Sequence, residues 1–74
     1  MGKGEFALNE RRKRLEAIEA AINQLCERGE FASKEKLISF MCIDWGVSER
    51  KAKEYLRVLE IGGKIFISGD KVTL

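Results

Sequence analysis

Apolar residues recur along this chain at helical spacing three times, and then alternate. Leu15, Ile18, Ile22, Leu25 and Cys26 share one helical face, supported by the intrinsic propensity of Ala17, Ala20 and Ala21. Glu16, Glu19, Asn23 and Glu27 fall on the polar side. This predicts a first helix over about 9–28, with Asn9 as its N-cap and Gly29 as its stop. Residues 1–8, with Gly2 and Gly4, read as a flexible arm before it. Glu30-Phe31-Ala32 reads as a short extended link or a one-bridge strand. Ser33 then caps a second helix over about 34–44, where Leu37, Ile38, Met41, Cys42 and Trp45 fall within an arc of about 140°. Phe40 and Ile43 lie outside that arc, on the side of Lys36, an unusual place for two large apolar groups.

Ser48 caps a third helix over about 49–61, with Ala52, Tyr55, Leu56 and Leu59 facing the core. Glu49, Arg50, Lys53, Glu54 and Arg57 face away, and Gly62-Gly63 ends the helix. Ile65–Ser68 and Lys71–Leu74 are rich in branched and aromatic residues, as strands are. Gly69-Asp70 joins them as a two-residue turn of type II′. The order α, short β, α, α, β, β is an α+β arrangement, with one domain over residues 9–74.

Composition narrows the function. A chain of 74 residues holds one small domain, and folding buries only about 62 % of its surface. The longest apolar run, Phe40 to Ile43, spans no membrane, and the opening residues carry two carboxylates and no apolar stretch. A cytoplasmic protein is expected. There is no histidine, the usual general base at neutral pH and the commonest zinc ligand. Two cysteines alone cannot build a four-ligand zinc site, and Gly62-Gly63 precedes a strand-like run where a phosphate loop would precede a helix. No enzyme, metal, cofactor or small-molecule ligand is expected, and binding is the default reading. Cys26 and Cys42 both fall on core faces, which predicts free thiols over a disulfide. Glu and Lys together number 18, against one Gln and two Asn, a balance expected of a protein from a hot environment.

The net charge of +2 is segregated: residues 1–14 carry +3, residues 15–47 carry −3, and residues 48–74 carry +2. Nucleic-acid binding needs local positive potential, not a large net charge. Arg11-Arg12-Lys13-Arg14 sits where the first helix is expected to begin, so it opposes the macrodipole. It reads equally as a phosphate-binding run or as a screened first turn.

Residues 37–65, LISFMCIDWGVSERKAKEYLRVLEIGGKI, carry a more specific pattern. An apolar and a small residue, Met41 and Cys42, precede the turn glycine Gly46, and Val47 with the capping Ser48 follow it. Ala52, Leu56 and Leu59 continue the spacing, closed by Gly63 and Ile65. In these residues the chain resembles the winged helix-turn-helix family over about residues 31–74, with the hairpin 65–74 where the wing falls. It departs from the family pattern at Phe40 and Ile43, in the shortness of the hairpin tip, and in ending at the last strand. Size and composition are similar to those of small archaeal or archaeal-virus regulators.

The resemblance implies a transcription regulator that binds double-stranded DNA with its third helix in the major groove and a short wing on the backbone. The physical case is independent of it. A groove about 12 Å wide accepts one α-helix, and the third helix has the basic, uncovered face. Arg50 and Lys53 are the candidates for base contacts. Glu54 accepts from cytosine or orients Arg50, while Lys51, Arg57 and, beside the hairpin turn, Lys71 reach phosphates. Ser48 offers a hydroxyl at the helix N-terminus. So small a module usually reads DNA as two copies, so a homodimer is expected through Phe40 and Ile43, through Phe6 and Leu8 of the arm, or through the first helix. The competing reading is a protein-interaction module, favoured by Glu49, Glu54 and Glu60 among the cations and by the apolar Phe40, Ile43, Val58 and Ile61.

Overall fold

The computed structural model describes residues 3–74, with side chains described from Asn9 onward. Three helices and three short strands follow in the order α1 (Lys3–Glu27), β1 (Ala32–Ser33), α2 (Lys34–Trp45), α3 (Glu49–Ile61), β2 (Phe66–Ser68) and β3 (Lys71–Thr73). The result is a small α+β fold with a three-stranded antiparallel sheet in the order β1-β3-β2. The second and third helices begin where Ser33 and Ser48 were expected to cap them, and both serines accept a backbone N–H from the first turn.

The first helix differs from expectation at its start. It begins at Lys3, so Asn9 lies inside it and residues 3–8 are helical. Glu5, Ala7 and Leu8 are good helix formers, and extending an existing helix is far cheaper than nucleating one, so Gly4 does not stop it. Arg11–Arg14 therefore lies beyond the first turn, where the macrodipole that would oppose it has already faded. Residues 1 and 2, and the side chains of Phe6 and Leu8, lie outside the described residues.

The core forms where the predicted faces meet. Ile18 and Ile22 of α1, Leu37 and Met41 of α2, and Ala52, Tyr55, Leu56 and Leu59 of α3 are buried together, closed by Ala32, Ile65 and Val72 from the strands and their approach. Leu15, Leu25, Cys26, Ile38 and Trp45 pack against this cluster half-buried. Both cysteines are free thiols and half-buried. Phe40 and Ile43 remain exposed, Ile43 to 77 %. Among the described residues no helix is long and apolar enough to cross a membrane.

The hairpin turn is of the expected kind. Gly69 has φ +60°, among the described residues only glycines adopt a positive φ, and Ser68 pairs with Lys71 across the two-residue loop, which is the pattern of a II′ turn. Its tip does not project freely. The β1–β3 register sets Ser33 opposite Lys71, so Asp70 lies at the N-terminus of α2. Ser33 Oγ donates to Asp70 Oδ2 at 2.6 Å, Glu35 N–H donates to Oδ1 at 3.0 Å, and Lys34 N–H donates to the Asp70 carbonyl at 2.7 Å. One acidic residue thereby satisfies the first turn of α2 and ties the hairpin to it.

Ser33 serves both the cap and this tie. Ser33→Ala is expected to cost about 1 kcal/mol, the usual range for a lost N-cap being about 0.5–2. In a domain of this size that lowers Tm by about 4–8 °C, measurable by thermal circular dichroism. The bond from Ser33, then that from Glu35 N–H, holds the Asp70 carboxyl below its ordinary 3.8. The folded state thus binds protons less readily than the unfolded one, and the stabilisation falls away as pH drops from 3.8 through the lower folded value. Asp70→Ala is expected to be less stable than wild type at pH 6 and to lose this part of the acid limb. Equal acid midpoints relative to pH 6 in both proteins would contradict it.

Candidate nucleic-acid interface

The segment from α2 through the turn to α3 is built around one glycine. Gly46 ends α2 with φ +65°, a left-handed conformation that costs a residue with a Cβ about 1–2 kcal/mol. Val47 then packs half-buried against the core, and Ser48 starts α3 by accepting Lys51 N–H at 3.1 Å. The 13 residues of α3 bury one face completely and leave the other to solvent.

The exposed face carries the predicted residues, but they are not equivalent. Arg50 and Arg57 are exposed and make no ion pair among the described residues. Lys53 meets Glu49 at 3.2 Å, an exposed pair that holds it weakly. Lys51 is half-buried, 3.7 Å from Glu54, with its ammonium 5.5 Å from the Tyr55 ring centre. Glu54 therefore pairs with Lys51, not with Arg50: the i, i+3 partner lies on the flank where Tyr55 anchors the lysine. Ser48 is exposed, and its hydroxyl keeps a proton to donate while it accepts from Lys51.

On the hairpin, Lys71 stacks its ammonium 5.0 Å over the Phe31 ring. Strand alternation puts it on the sheet face opposite Ile67 and Val72, so it does not share a surface with Lys53 and Arg57. The cation that does is Lys34, the first residue of α2. Lys34, Lys53 and Arg57 line one shallow cavity of about 200 Å³ with Leu56, Glu60 and Ile67. Nothing in the order of residues marks Lys34 for this place, because the cavity joins the start of α2 to α3 beside Ile67 of β2.

Behind α3 stands a second cluster. Arg14 of α1 donates to Tyr55 Oη at 3.0 Å, pairs with Glu10 at 3.6 Å, and lies 5.8 Å from the Trp45 ring centre. Trp45 meets Tyr55 and Phe40 edge to face, at 6.3 and 5.5 Å. The hydrogen bond to Tyr55 is the largest influence on the Arg14 guanidinium and raises its pKa above the ordinary value. Arg14 is thus the member of the basic run that braces α3 against α1. Trp45 and Tyr55 are packing groups, as their helical positions predicted.

No protein-family model matches this chain, nor does any curated protein or solved structure, so its functional reading rests on residues and geometry.

Tyr55→Phe removes the acceptor for Arg14 and leaves the ring packing in place. A hydrogen bond of this kind is worth about 1 kcal/mol net. The urea midpoint is expected to fall by that free energy divided by the slope, with the slope unchanged, since the surface exposed on unfolding stays the same.

Proposed function

We propose that this chain is a double-stranded DNA-binding transcription regulator of the winged helix-turn-helix type, with α3 in the major groove and the β2–β3 hairpin beside the backbone. The observation that carries the reading is the two-sided character of α3. One side is wholly committed to the core, and the other presents Arg50, Lys53 and Arg57 with Arg50 and Arg57 unpaired among the described residues. The element order and the antiparallel sheet are compatible with it. Gly46, Val47 and Ser48 link α2 to α3 in three residues, the connection length of a helix-turn-helix, and α3 ends in solvent at Ile61, 73 % exposed.

In this reading Arg50 is the base-reading group, since a guanidinium with no competing carboxylate can offer its fork to guanine. Lys53 exchanges Glu49 for a base edge or a phosphate, at small cost because the pair is exposed. Glu49 and Glu54 hold lysines rather than block the face. A protein-interaction role remains the second reading, and its supporting observation is the exposed pair Phe40 and Ile43 on α2. The same pair is one surface open to a homodimer, and α1 is another. Light scattering on wild type and on a Phe40→Ser, Ile43→Ser double variant tests it: a dimer that the double change dissociates is expected, and a monomer both free and on DNA would refute it.

Arg50→Ala and Lys53→Ala are each expected to weaken specific binding by about 1–3 kcal/mol with an unchanged circular dichroism spectrum. Wild-type affinity is expected to fall steeply with salt, with a slope of log K on log salt of about −4 to −6. Gel shifts on random and genomic duplexes across a salt series read both quantities. A slope near zero would favour the protein-partner reading.

A further inference from the structure

We propose that the cavity between Lys34, Lys53 and Arg57 is a phosphodiester site, and that it supplies the backbone contact on this flank which the clasped hairpin tip does not. The inference rests on the DNA-binding reading above and assigns that reading a specific phosphate seat.

Two observations lead to it. The first is the arrangement of charge. Three cations from two helices border a single cavity of about 200 Å³, against one carboxylate, Glu60. A phosphate group occupies the space of a few water molecules at about 30 Å³ each, so the volume suffices for one, partly hydrated. Arg57 has no carboxylate partner among the described residues, and Lys53 has only the exposed Glu49. Leu56 and Ile67 form an apolar floor from which the cations gain field strength.

The second is what the hairpin does instead of gripping DNA. A helix N-terminus ordinarily binds phosphate through its free amides. Here the amides of Lys34, Glu35 and Lys36 are already taken by Asp70 and Ser33. The tip of the hairpin is an anion, turned onto α2, and Lys71 is drawn over Phe31. A phosphate approaching this edge finds no open amide and a negative tip. Two positive groups stand at the start of α2, the exposed Lys36 and the half-buried Lys34, and it is Lys34 that borders the cavity with Lys53 and Arg57.

The test is fluorescence anisotropy of labelled duplexes of several unrelated sequences, titrated with the full chain across a salt series. Lys34→Ala is expected to weaken binding alike on all of them and to reduce the salt slope by about 1, the mark of one lost phosphate contact. Lys34→Arg is expected to retain the wild-type slope. Lys36→Ala, on the same turn but outside this cavity, is expected to leave it unchanged. Far-UV circular dichroism checks that each variant is folded. If Lys34→Ala keeps the wild-type slope while Arg50→Ala still weakens binding, the phosphate seat is wrong and the DNA reading stands. If Lys36→Ala lowers the slope as much as Lys34→Ala, the effect is general charge and the site is overturned. Salt-insensitive or absent binding by wild type overturns both the site and the reading on which it rests.

Discussion

The junction of Ser33 and Asp70 ties the hairpin, β1 and the start of α2 together. Antiparallel pairing of β1 with β3 brings two residues far apart in the chain side by side, and a two-residue turn leaves Asp70 nowhere to go but onto the start of α2. There it meets a serine hydroxyl, a backbone amide and the positive end of a helix, all of which favour the charged carboxylate. The sheet closes, α2 starts, and Lys34 is held at the edge of α3 by the same set of bonds. A longer hairpin would free its tip and lose this tie.

A domain of this size has little apolar area to bury, so α3 must serve as core and as surface at once. Its inner face is held by close packing of Ala52, Leu56 and Leu59. Tyr55 extends that face to a polar edge, where Arg14 satisfies its hydroxyl and Trp45 fills the angle between α1 and α2. The brace matters for the proposed role, because a helix that reads base edges needs a fixed orientation. The outer face is then free to carry charge. Its carboxylates do not cancel its cations uniformly: they hold the two lysines and leave the two arginines. A guanidinium so placed retains its full donor fork for a planar acceptor, whereas a lysine in an exposed pair exchanges partners at little cost.

The chain order alone determined the three helices, the type II′ turn and the buried faces, because each depends on spacing within a dozen residues. Ser33 and Ser48 cap where their side chains reach an amide three residues on, and Leu37, Met41, Ala52 and Leu56 are buried because helical geometry puts them on one side. The start of α1 is not legible locally, since two glycines suggest an arm and only propagation from the stable helix carries the structure to Lys3. Tertiary structure decided the rest. The partner of Asp70 is Ser33, the partner of Arg14 is Tyr55, and Lys34 joins Lys53 and Arg57. Each pairing links residues from separate elements, and its geometry follows from how helices and sheet pack around the shared core, a quantity that no short window of sequence contains.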